Sequence, residues 1–206
     1  AWSVLIVSTL AFTVCFMVWM MFGVIGIPIK KMLNLNATEF GLLTATPVLT
    51  GSLIRVPLGI WTDRFGGRVV MALLMALTVP AIWLMSYATH YWHFLVIGLF
   101  VGLAGGSFSV GTPYVARWFP PQRQGMAMGI YGAGNSGSAV NKFVAPVILV
   151  AFGWTMVPQV YAAIMAGTVI LFWLFSSSDP THLVSSDIKF RDQLKALKDP
   201  KVLKYC

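Results

Sequence analysis

The chain has 206 residues, 58% of them hydrophobic and 10% charged, and a formal net charge of +8 from 14 Lys/Arg against 6 Asp/Glu. Soluble domains carry roughly 25% charged residues, so this composition has too little polar surface for a soluble enzyme, a free nucleic-acid binder or a disordered chain. At about 20 residues per bilayer crossing plus a short connection, the length predicts about six membrane-spanning helices.

Six apolar stretches run over residues 2–29, 40–61, 69–88, 94–118, 125–152 and 155–175. Each is long enough to cross a hydrocarbon core as a helix. The first lacks the basic leading region of a secretory signal, its apolar run is too long, and five more follow, so it reads as a true span. Asn36-Ala-Thr-Glu39 fits a capping box at the start of the second span, with Asn in place of Ser or Thr. Pro120-Pro121 breaks the chain between spans four and five, and Gly153 separates five from six. Beyond 176 charged residues become frequent. This divides the chain into a six-helix transmembrane bundle over 1–176 and a polar cytoplasmic segment over 177–206, amphipathic around 188–194. Cys15 and Cys206 give neither a disulfide framework nor a metal spacing. His90 and His93, on the 3–4 connection, read as solvated bystanders.

The basic residues orient the bundle. Arg64, Arg68, Arg117, Arg123, Lys189, Arg191, Lys195, Lys198, Lys201 and Lys204 fall on the 2–3 and 4–5 connections and the tail, against Lys30 and Lys31 on the other side. The positive-inside bias then puts both chain ends in the cytoplasm of an inner or plasma membrane. It accounts for most of the +8 without nucleic acid as a partner.

Two basic residues are left inside spans: Arg55 in the second and Lys142 in the fifth. A charge at mid-membrane costs at least about 2.5–3.5 kcal/mol. Glu39, Asp63 and Asp179 all sit at span ends, so no acid compensates. Either the two cations snorkel or bond backbone carbonyls, or they bind an anionic substrate; the absence of a buried carboxylate argues against a cation site. Gly51 and Gly59 flank Arg55 by one turn each and leave room for its guanidinium. That planar fork engages a planar oxyanion with two parallel bonds, and nitrate and nitrite have the compatible shape. In span five, at 100° per residue, Tyr131, Asn135, Ser138 and Lys142 share one face suited to a water-filled path. Gly125, Gly129, Ala133 and Gly137 share the opposite face and suit tight packing, with Gly98, Gly102 and Gly106 as a matching stripe in span four.

Two stretches carry a family resemblance. Gly51-Ser-Leu-Ile-Arg55-Val-Pro57-Leu-Gly59-Ile-Trp-Thr-Asp63-Arg64-Phe-Gly66-Gly67-Arg68 resembles the loop signature of the major facilitator superfamily, a G-x-x-x-D-R-x-G-x-R pattern. Gly129-Ile-Tyr-Gly132-Ala-Gly134-Asn135-Ser-Gly137-Ser-Ala-Val-Asn-Lys142-Phe-Val-Ala-Pro146 resembles the nitrate signature of the nitrate/nitrite porter family. Gly105-Gly-Ser-Phe-Ser-Val-Gly111 and Trp118-Phe-Pro-Pro-Gln-Arg-Gln-Gly125 are similar to that family too. Ser136 and Ser138 interrupt the glycines that some members carry.

The resemblance implies an all-α membrane fold, the N-terminal six-helix half of a twelve-span transporter whose C-terminal half is missing here, with 177–206 as the linker between halves. It implies nitrate or nitrite transport by alternating access in nitrate assimilation, through proton symport or nitrate/nitrite exchange, with no cofactor, metal or enzymatic chemistry. Arg55 would grip the anion, Phe16 would wall the site, and Asn135, Gly134 and Gly137 would lie on the signature helix beside it. Gly59, Asp63, Arg64, Gly67 and Arg68 would form a cytoplasmic gating loop, with Asp63 near the positive end of a neighbouring helix dipole. Lys142 would either help couple protons or attract the anion. Another small anion such as a carboxylate, or a non-transporting membrane sensor or scaffold, are the alternatives.

Overall fold

The computed structural model describes residues 1–180. The segment expected over 177–206, with its amphipathic stretch at 188–194, therefore lies outside the described residues after 180. Six helical spans are long and apolar enough to cross a bilayer: Trp2–Leu33, Ala37–Phe65, Gly67–Met85, Tyr91–Ala116, Pro121–Phe152 and Met156–Phe175. Their order and number are those expected, with ends moved by a few residues. The capping box closes at the second span: Glu39 N–H donates to the Asn36 side chain at 2.8 Å, and Asn36 N–H donates to Glu39 Oε2 at 2.9 Å.

Spans three and six are continuous helices, α5 (Gly67–Met85) and α10 (Met156–Phe175), packed on each other. The other four spans are interrupted. Span one is α1 (Trp2–Trp19) and α2 (Phe22–Leu33), joined by a turn at Met20-Met21. Span two is α3 (Ala37–Leu53) and α4 (Arg55–Phe65), dislocated at Ile54. Pro57 explains this break, because it lacks an N–H for the Leu53 carbonyl and its ring crowds that carbonyl. Span four is α6 (Tyr91–Val101), a 3₁₀ segment (Gly102–Gly106) and α7 (Ser107–Ala116). Span five is α8 (Pro121–Gly132), a 3₁₀ segment (Ala133–Ser136) and α9 (Gly137–Phe152).

Span one runs through the packed interior and touches pieces of spans four, five and six. Spans two and five are the least buried. Exposed Leu53, Val56, Phe143 and Val147 cover their outer faces. Apolar surface of this extent needs lipid or protein against it, not water.

Candidate functional site

Arg55 is the first residue of α4, so the dislocation at Ile54 sets its direction. It is exposed about two-thirds of the way along span two, on the open side of the bundle that the little-buried spans two and five border. Its guanidinium carbon stands 6.0 Å from the centroid of the Trp19 ring. From Trp19 a series of rings runs across the bundle. Phe16 meets Trp19 edge-on at 5.3 Å, Phe12 meets Phe16 at 5.7 Å, and Phe12 stacks on Tyr131 at 4.9 Å. Phe108 of span four joins Phe12 at 5.6 Å and is itself exposed. A cation therefore sits at one end of an aromatic wall in which Phe16 is half-buried and Phe108 faces outward. Phe16, expected from the sequence to wall the site, lies in this series; Trp19, Phe12 and Phe108 stand out only in the structure. The spacing Phe12-Phe16-Trp19, one turn apart on span one, was the available signal.

The fifth span departs from the expected face. Tyr131 is fully buried and donates its hydroxyl to the Ser107 carbonyl at 3.0 Å, so it is not on an open face with Asn135. Asn135 is exposed, with its amide donating to the Gly132 carbonyl, and the Ser138 hydroxyl donates to the Asn135 carbonyl. Lys142 is exposed in α9. The packing face is also different. Gly134 and Gly137 are buried against span one, where a Cβ would collide with Phe12 and with the Thr13 carbonyl respectively, while Gly125 and Gly129 have nothing within 4 Å. The reason is the 3₁₀ segment at Ala133–Ser136. It winds about 20° per residue tighter than an α-helix, so the buried face advances in steps of three, through Tyr131, Gly134 and Gly137.

Asn141, unremarked in the sequence beside Lys142, is buried and fully engaged. Its amide donates to the Met20 carbonyl at the span-one turn, and its Oδ1 accepts the Tyr161 hydroxyl at 2.8 Å. It ties spans one, five and six together at the level of the site.

At the 2–3 loop, Gly66 carries φ of +85° and lets α4 turn directly into α5. Gly67 opens α5 against Tyr114, and Gly59 faces open space. Arg68 donates to the Trp173 carbonyl at 2.7 Å and lies 4.4 Å over the Trp173 ring. Arg64 stands in the last turn of α4. The acid on the α5 N-terminus is Asp179, not Asp63: Gly67 N–H donates to Asp179 Oδ2 at 2.8 Å. Asp63 instead pairs with Arg117, whose other terminal nitrogen reaches Asp179 Oδ1 at 2.9 Å. Arg117 thus bridges the end of span two to the residues after span six. Sequence reading counted it only as a topogenic charge. Among the described residues no three His, Cys, Asp or Glu side chains come together as a metal site.

The sequence profile of the Major Facilitator Superfamily matches residues 7–204. The chain belongs to the major facilitator superfamily. With its six membrane-capable helices it is a multi-pass membrane protein. Its relatives within the superfamily include the probable nitrate/nitrite antiporter NarK1 of Thermus thermophilus, 37% identical over 98% of this chain and 48% of the relative. The nitrite extrusion protein of Bacillus subtilis is 36% identical over 92% of this chain and 47% of its own length. The probable nitrate transporter NarT of Staphylococcus carnosus is 32% identical over 94% and 50%. The chain spans about half the length of these curated relatives. Among solved superfamily structures, an inward-facing bacterial homologue of the human lysosomal transporter Spinster superposes with a TM-score of 0.74 at 19% identity, over 91% of this chain and 45% of that one. The human organic anion transporter MFSD10 gives 0.72 at 19% identity, over 98% and 54%. These likenesses establish the fold.

Proposed function

We propose that this chain is the first half of a transporter that carries nitrate, nitrite or both by alternating access, with Arg55 as its anion ligand. The carrying observation is an exposed guanidinium within span two, against an aromatic wall, with Glu39 and Asp63 confined to the two ends of that span. The names of three relatives, each a nitrate or nitrite carrier, support the same substrate class. The rings beyond Trp19 supply an apolar wall that a weakly hydrated planar anion tolerates, and the guanidinium supplies two parallel donors for its oxygens. Asn135 and Ser138 line the approach from span five, and Lys142 adds a second positive charge that draws anions toward the open side. Gly134 and Gly137 bring spans one and five close enough for Phe12 and Phe16 to wall the site.

In this reading both chain ends face the cytoplasm, by the distribution of basic residues, and a second six-span half closes over the open side. The loop carrying Asp63, Arg64, Gly67 and Arg68 then lies at the cytoplasmic gate.

The test is Arg55→Lys in the full twelve-span protein, measured as nitrate uptake into proteoliposomes. Lysine keeps the charge and loses the fork. The apparent KM for nitrate rises by about tenfold, the worth of one charge-assisted bond of about 1.5 kcal/mol. An unchanged KM removes Arg55 from the site. Competition of uptake by formate distinguishes a carboxylate carrier, and dependence of uptake on an imposed proton gradient separates symport from exchange.

A further inference from the structure

Trp19, at the Arg55 end of the wall, is held from two sides. Its Nε1–H donates to the Pro47 carbonyl of span two at 2.9 Å, and the side chain is buried. Two glycines close on the indole itself and a third on the carbonyl that holds it. A Cβ on Gly51 would stand 2.8 Å from Nε1, and one on Gly105 would stand 2.6 Å from the indole carbon Cε2. A Cβ on Gly102 would meet the same Pro47 carbonyl that receives the indole N–H, at 2.6 Å. The ring is thus wedged between span two and the 3₁₀ segment of span four, with one hydrogen bond fixing its rotation. Arg55 lies one turn beyond Gly51 on span two, with its guanidinium over that ring. A long, flexible side chain at an exposed position loses rotamer freedom only if something holds it. The indole face attracts a guanidinium by its quadrupole, and Arg stacks on it where Lys does not lie flat.

We infer that Trp19 is the positioning residue for Arg55: its locked indole holds the guanidinium fork in the orientation that meets a planar anion. The inference rests on Arg55 being the anion ligand. Trp19 does not touch the anion. It acts by removing orientations in which the fork points away, so its loss weakens recognition of planar anions in particular. A spherical anion such as bromide, which offers no pair of oxygens for the fork to meet, is affected less.

The experiment compares Trp19→Phe, Trp19→Leu and Arg55→Lys in the full twelve-span transporter in proteoliposomes. It reads nitrate KM, maximal rate per folded protein and the ratio of bromide to nitrate inhibition constants. Trp19→Met, which fills the slot without a ring, stands in wherever Trp19→Leu does not fold. The non-aromatic variant raises nitrate KM by about fivefold and lowers the nitrate-over-bromide preference by a similar factor, the size of a cation–π contact at an exposed site. Its maximal rate stays within about twofold, while Trp19→Phe, which keeps a ring face, stays within about twofold of wild type in KM. A non-aromatic variant that lowers the maximal rate with KM and preference unchanged shows Trp19 to be packing only and overturns the inference. The same holds if Trp19→Phe is as damaging as Trp19→Leu. If Arg55→Lys leaves nitrate KM unchanged, the reading of Arg55 itself fails. If Arg55→Lys raises it and the Trp19 variants do not, only the present inference fails.

Discussion

Asn141 spends both ends of its amide inside the bundle, on the Met20 carbonyl and the Tyr161 hydroxyl. In a span, where no water replaces a lost partner, each such bond contributes modestly, up to about 1.7 kcal/mol. Replacing Asn141 by Leu keeps the branched shape in a larger volume, strands the Tyr161 hydroxyl while the Met20 carbonyl still accepts from Gly23 N–H, and lowers stability by about 1–3 kcal/mol. Adding Tyr161→Phe to Asn141→Leu removes the stranded group and recovers part of the loss. Thermal midpoints of the purified variants check both. Arg55 was legible in the sequence because a charge within an apolar run declares itself. Asn141 was not, since an amide near a lysine gives no sign of which of the two is turned inward. Trp19 was hidden for a related reason: tryptophan is common in spans, and only its contacts with Gly51, Gly105 and the Pro47 carbonyl set it apart.

Among elements, the contrast is between two unbroken spans and four jointed ones. Apolar runs made the existence of all six spans plain, because length and hydropathy alone decide whether a helix crosses a bilayer. The joints were not plain. Pro57 accounts for the dislocation at Ile54, yet Pro80 sits inside α5 without interrupting it. Whether a proline breaks a span depends on what satisfies the freed carbonyl, which is a tertiary matter. The glycine stripes were misassigned in span five for the same reason, since a run of α-helical turns was taken through a 3₁₀ segment. The two sets of glycines behave differently on substitution. Gly137→Ala forces a methyl into the Thr13 carbonyl and costs about 1–3 kcal/mol through displaced backbone. Gly129→Ala meets open space and gains up to about 1 kcal/mol from helix propensity. Thermal midpoints of the two variants therefore move in opposite directions.

At the scale of the whole molecule, Arg117 gathers the ends of three spans through Asp63 and Asp179. The two acids differ in setting. The Asp179 side chain is 3% exposed and that of Asp63 is 41% exposed. Removing Arg117 by Arg117→Ala leaves the buried Asp179 carboxylate on the Gly67 N–H without its guanidinium partner, at a cost of about 3 kcal/mol. Asp63→Asn breaks only the wetter arm and costs under about 1 kcal/mol. Loss of helical signal on heating in detergent ranks the two. Composition made the membrane class readable from the chain alone, and the resemblance carried by residues 51–68 and 129–146 supplied the fold family. The loop signature pointed to Asp63 and Arg68, and the packing adds Arg117 and Asp179, which lie far from that signature in sequence and meet it only in the folded bundle.

The four residues of the 3₁₀ segment in span five also act as a phase setting for everything after them. Tightening of about 20° per residue advances α9 by about 80° relative to an uninterrupted α-helix. Asn141 and Lys142 are one residue apart, hence about 100° apart around α9. Relaxing Ala133–Ser136 to α-helical winding would therefore turn Lys142 to within about 20° of the direction Asn141 now occupies, facing Met20 and Tyr161. The burial of the amide and the exposure of the amine are two readings of a single torsional coordinate, set by four residues upstream of both.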